Sequence, residues 1–222
     1  MSGSMVGKLI AKEIYMNRWI MAVATVAAMA SIVASCFGPV AYGIGGITFL
    51  TTMIAYGVVL AMFSVAAERK EKTIVFVLSL PISRGEYLRA KVVGVLLAFL
   101  IPWAIVLVTA LIAILVSSIP DGGIVQAVLL MGFLLMDYCV VVSVLMVARR
   151  EGATVALIIL SNMSVTFYMI GVNTFTSVGP NSGKDVVSWD TTALAILGCE
   201  VVVTAIVFVI SSWVHGREPE IL

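Results

Sequence analysis

Six long apolar runs, separated by short polar segments, dominate the chain: residues 19–37, 44–67, 92–116, 124–148, 153–172 and 192–214. Each run has at least 19 residues and at most one charge. A helix needs about 20 such residues to cross roughly 30 Å of hydrocarbon, so the pattern predicts six transmembrane helices. The polar connections alternate in charge. Lys8, Lys12 and Arg18 precede the first run, and Arg69, Lys70, Lys72, Arg84, Arg89 and Lys91 lie between the second and third. Arg149 and Arg150 follow the fourth run and Arg217 the sixth, while the remaining segments hold only Lys184. Twelve of the 13 Lys and Arg residues thus fall on one side. Basic residues stay on the cytoplasmic side, which predicts a multi-pass protein of the cell (plasma or inner) membrane with both termini in the cytoplasm.

Composition agrees with this pattern. The chain of 222 residues is 62% hydrophobic and 11% charged, against about 25% charged in soluble proteins. Its mean hydropathy is +1.17, and a soluble core of this size could not hide six such runs. The formal net charge of +1 gives no basic field for nucleic acid. The runs use most of the chain, so residues 1–222 are expected to form one transmembrane domain. Val33, Ala34, Ser35 and Cys36 resemble a lipoprotein cleavage box. A leader of that length followed by five more runs makes an uncleaved first span the expectation. Cys36, Cys139 and Cys199 lie in apolar runs and read as small buried residues.

Before the first run, residues 5–16 place Val6, Leu9, Ile10 and Ile14 on one helical face with Lys8 and Lys12 off it. This predicts an amphipathic helix in the headgroup plane. Glu13 falls within the apolar stripe, so it is expected to meet a basic residue, either of the segment between spans two and three or of a partner. In span one, Ala24, Ala27, Ala28, Ser31, Ala34 and Ser35 form a small-residue stripe suited to close packing, and burial among helices is expected. Pro102 should bend span three. Asp137 and Glu200 lie inside spans four and six, about 20 Å and about 12 Å from the outer ends of those spans. An acid at membrane depth costs at least about 2.5 kcal/mol and should not face lipid. Asn162, with Ser161 and Ser164, could donate to either acid. Asp137, Asn162 and Glu200 are therefore candidates for a translocation path, or for polar packing between helices.

The segment between spans two and three has a distinct build. The charges Glu68, Arg69, Lys70, Glu71 and Lys72 precede Thr73 and a short apolar stretch that ends at Pro81. Ser83 and Glu86 then form a capping box, with Ile82 and Tyr87 as its hydrophobic staple, so a new helix should run directly into span three. The combination of Glu68-Arg69, Thr73, Val77-Leu78, Pro81-Ile82-Ser83 and Lys91 resembles the permease subunits of type-2 ATP-binding-cassette transporters, although Lys72 and Val75 depart from the usual pattern. The resemblance extends more loosely to Lys12-Glu13 and to the span count.

That likeness implies an all-α, six-span permease with a short cytoplasmic coupling helix between spans two and three. Glu68, Arg69, Lys70, Glu71 and Thr73 would form the coupling element, Pro81 would end it, and Ser83 and Glu86 would start the next helix. Lys91 would sit at the mouth of span three. The resemblance also implies a cytoplasmic ATPase in two copies that binds ATP and magnesium, a second permease copy or sister subunit, and export as the direction of transport. The chain itself carries no complete nucleotide-binding box: in Gly179–Asp185 the spacing is one residue short and an Asp stands where Ser or Thr would hold magnesium. No cofactor, metal site or catalytic residue of its own is expected. The alternatives left open are an ion-coupled secondary transporter using Asp137 and Glu200, and a membrane scaffold or assembly factor.

Overall fold

The computed structural model describes residues 2–66, 84–117, 119–147 and 151–217. Long helices account for almost all of them, and no strand occurs among the described residues. In chain order they are α1 (Ser2–Ser35), α2 (Pro39–Ala61) with a π-helical extension (Met62–Ala66), and α3 (Arg84–Val116). Then follow α4 (Gly123–Val147), α5 (Glu151–Phe175), the single turn α6 (Val178–Asn181) and α7 (Thr191–Arg217). Six of these are long and apolar enough to cross a membrane, one for each apolar run of the sequence. The helices alternate in direction. The N-terminal half of α1 meets the π-helical extension and the start of α3 at one face, and the α3–α4 connection meets the α5–α7 connection at the other.

The N-terminal stretch differs from expectation. Residues 5–16 are not a separate helix in the headgroup plane but the first turns of α1, which is unbroken for 34 residues, about 51 Å. The cause lies in what the apolar stripe covers. Leu9, Ile10 and Ile14 are half-buried and Glu13 is buried, while Lys8 and Lys12 are exposed. The stripe faces the start of α3, where Gly94 lies against Ile10 and Glu13. Arg18 lies over the Tyr15 ring at 4.0 Å and near the exposed Trp19, a basic and aromatic group of the kind found at headgroup level. Span one is also buried on one side only. Ala24, Ala28, Ser31 and Ser35 face the bundle, whereas Val23, Val26 and Val33 are exposed.

The central packing is aromatic. Tyr56 of α2 stacks on Phe99 of α3, which stacks on Tyr138 of α4, with ring centroids 5.5 and 3.9 Å apart. α3 runs through Pro102, and the missing N–H leaves the carbonyl of Ala98, one turn back, without its helical donor. The Tyr56 hydroxyl fills that role, donating to Ala98 O at 2.5 Å from a buried position. Tyr56→Phe should therefore cost about 1–3 kcal/mol, the penalty of an orphaned buried carbonyl. In a Pro102→Ala background the restored N–H should serve Ala98, and the cost should shrink. Thermal unfolding of the four proteins in detergent measures the difference, and an equal cost in both backgrounds would refute the substitution of one donor for the other.

Candidate functional site

Two polar groupings stand out against this apolar bundle. The first ties α1 to both flanks of residues 67–83. Lys91 Nζ donates to Glu13 Oε1 at 2.8 Å, and both side chains are buried. One turn along α1, buried Asn17 donates through Nδ2 to Glu13 O at 2.9 Å and to Ser64 Oγ at 3.1 Å. Ser64 belongs to the π-helical extension that leads into residue 67, and Lys91 lies two turns into α3. Gly94 makes the approach possible, because a β-carbon there would sit 2.9 Å from Glu13 Cβ and Cγ. The basic partner expected for Glu13 is thus Lys91. Asn17 and Ser64 were not singled out from sequence, although an Asn one turn from a buried acid is a signal of the same kind.

Glu68, Arg69, Lys70, Glu71, Thr73, Pro81 and Ser83 lie outside the described residues. α3 begins at Arg84, the residue after the expected cap, with Glu86 in its first turn. Lys12 is exposed on the outer side of α1.

The second grouping is intramembrane, and it is two sites rather than one. Asp137 of α4 accepts from Ser161 through Oδ2 and lies 3.5 Å from Ser164 Oγ, both on α5. Asn162 reaches neither acid. It is exposed and donates to Ile158 O of its own helix at 2.8 Å. The reason is angular: Asn162 is rotated by about 100° from Ser161, away from the face that meets α4.

Glu200 of α7 is 4% exposed and pairs through Oε1 with the Tyr168 hydroxyl of α5. That hydroxyl has one hydrogen and two acceptors in reach, the carboxyl and Leu129 O at 3.1 Å. The hydroxyl donates to the carboxyl oxygen, and Leu129 O lies within reach of the same hydrogen. Glu200 Oε2 is buried and has no hydrogen-bond partner among the described residues. It packs against Gly132 of α4, where a β-carbon would collide with it.

At the opposite face, Asp190 caps α7. Ala193 N–H donates to its Oδ1 at 2.6 Å, and Ser177 N–H donates to Oδ2 at 2.8 Å. These donors, that of Ser177 first, hold the carboxyl below the usual carboxylate range. The segment that mimics a nucleotide-binding box is a turn: Lys184 Nζ bonds Asn181 Oδ1 at 3.0 Å, and Lys184 O accepts from Gly122 N at 2.9 Å.

Six long apolar helices with a polar tie at one face define a multi-pass membrane protein. Residues 4–215 match the family described as ABC-2 family transporter protein. The chain belongs to that family, whose members are the membrane-spanning permeases of ABC transporters. No curated protein and no solved structure matches it.

Proposed function

We propose that the chain is the permease subunit of an ATP-driven exporter, coupling ATP hydrolysis by a separate cytoplasmic ATPase to movement of a substrate across the cell membrane. Two ATPase copies bind ATP and magnesium, and the permease pairs with a second copy of itself or a sister subunit. Both termini are cytoplasmic, in keeping with the one-sided Lys and Arg distribution. The observation that carries this reading is family membership over residues 4–215.

The geometry supports a route for the coupling. Residues 67–83, which hold the loop motif, are flanked by Ser64 and Lys91, and both of those are tied to α1. A push on the loop from an ATPase therefore acts on three helices together, with α1 as a 34-residue lever. The test is the Glu68→Ala, Arg69→Ala double variant in vesicles reconstituted with the ATPase. ATP hydrolysis should persist while ATP-dependent transport falls to background, with insertion intact. Coupling that survives unchanged would remove the loop from the mechanism.

A further inference from the structure

Between α3, α4 and α7 lies an apolar groove of about 530 Å³, within the roughly 300–1,000 Å³ of small-molecule sites. Its walls include Leu100, Val201 and Phe208, all exposed. Trp103 and Gly132 also line it, and among the described residues its one ionisable carboxyl is that of Glu200. We propose that this groove binds a lipophilic amine, whose ammonium N–H donates to Glu200 Oε2 while its apolar body lies along α3 and α7.

Four observations select this ligand. Oε2 is a buried acceptor with no hydrogen-bond partner among the described residues, so an apolar tail alone would leave it unsatisfied. Among the described residues the lining contains no Lys, Arg or His, so an anionic head would meet a carboxyl with no compensating cation there. An ammonium supplies both the donor and the positive charge that a carboxylate needs in a wall of low dielectric. Trp103 spends its one donor on Met131 O at 2.8 Å, which leaves its ring as an apolar and cation-attracting surface in the groove. Gly132 leaves Oε2 its space, since a β-carbon there would collide with it.

The inference rests on the exporter reading for transport, but not for binding. It is therefore tested by binding alone, on the complete permease with its co-purified partners in phosphatidylcholine nanodiscs. Radiolabelled dodecylamine is titrated with empty nanodiscs subtracted, and dodecyltrimethylammonium is run in parallel, matching the tail and charge but lacking an N–H. Saturable binding of one dodecylamine per chain is expected. The affinity should fall about tenfold or more with Glu200→Gln, which keeps an acceptor and loses the charge, and by a similar factor for the trimethylammonium probe. Leu100→Trp, on an exposed wall, should block binding without touching the carboxyl and serves if Glu200→Gln does not fold. Equal affinity in Glu200→Gln, indifference to the N–H, or non-saturable uptake alone would overturn the proposal. So would a disulfide between Leu100→Cys variants of two chains, which would put a second permease copy in the groove. A Glu68→Ala, Arg69→Ala variant that no longer couples should still bind dodecylamine, so the two readings fail separately.

Discussion

Lys91→Met alone should destabilise the permease by about 3–5 kcal/mol, and Glu13→Leu introduced into the same chain should recover most of that loss. The asymmetry follows from burial. Glu13 and Lys91 have side chains 7% and 5% exposed, and their charged atoms are 2.8 Å apart. Removing the ammonium leaves a carboxylate in a packed helix interface without the cation it faces. Removing both charges substitutes apolar contact for an ion pair whose attraction was largely offset by its desolvation. Thermal unfolding of the two single variants and the double variant in one detergent completes the cycle. Additive losses would show that the two residues act independently, contrary to the geometry. The double variant also separates stability from coupling. With α1 no longer pinned to α3 through this pair, ATP-dependent transport should stay below wild type even when the unfolding temperature has recovered.

The elements that were legible in the sequence are those that a one-dimensional pattern can encode. Six apolar runs of sufficient length gave six membrane-crossing helices, because hydrocarbon thickness sets helix length whatever the neighbours are. Glu13 was legible as an acid in need of a cation, because a charge in an apolar stripe has few other fates. The continuity of α1 was not. An amphipathic stripe looks the same whether it faces lipid headgroups or the start of α3, and only tertiary contact decides between them. Asn162 failed for a related reason. Proximity in sequence to Ser161 and Ser164 suggested a common role, but its own angular position turns it away from Asp137. The pairing of Tyr56 with the carbonyl freed by Pro102 spans 42 residues, so Pro102 announced a missing donor without saying what replaces it. Residues 68–83, which carry the loop motif, lie outside the described residues, and their role rests on the resemblance and on the anchors at either side.

Gly45→Val should separate α1 from α2 at a cost of about 3 kcal/mol, the upper part of the usual range for overpacking, whereas Gly46→Ala, one residue on, should leave stability unchanged or raise it. A β-carbon at Gly45 would lie 2.7 Å from Ser31 O and 2.9 Å from Ser35 N, and closer still to Ser35 Oγ. Two of those three atoms are backbone, so no rotamer change relieves the clash and the helices themselves must part. Ser35→Ala combined with Gly45→Ala should accordingly fail to restore stability, since it removes only the hydroxyl. At Gly46 nothing lies within 4 Å of the added carbon, and Ala is the better helix former by about 1 kcal/mol. The contrast gives the small-residue stripe of span one a specific partner. Ser31 and Ser35 spend their hydroxyls on their own helix, donating to Ala27 O and Ser31 O at 2.8 and 2.9 Å, which presents a nearly smooth surface to Gly45. In hydrocarbon, where apolar burial no longer drives association, such close backbone approach is a main source of helix–helix affinity. Chemical unfolding of Gly45→Val and Gly46→Ala in the same detergent decides the point. Equal effects at the two positions would mean that the close contact of α1 with α2 does not hold the bundle together.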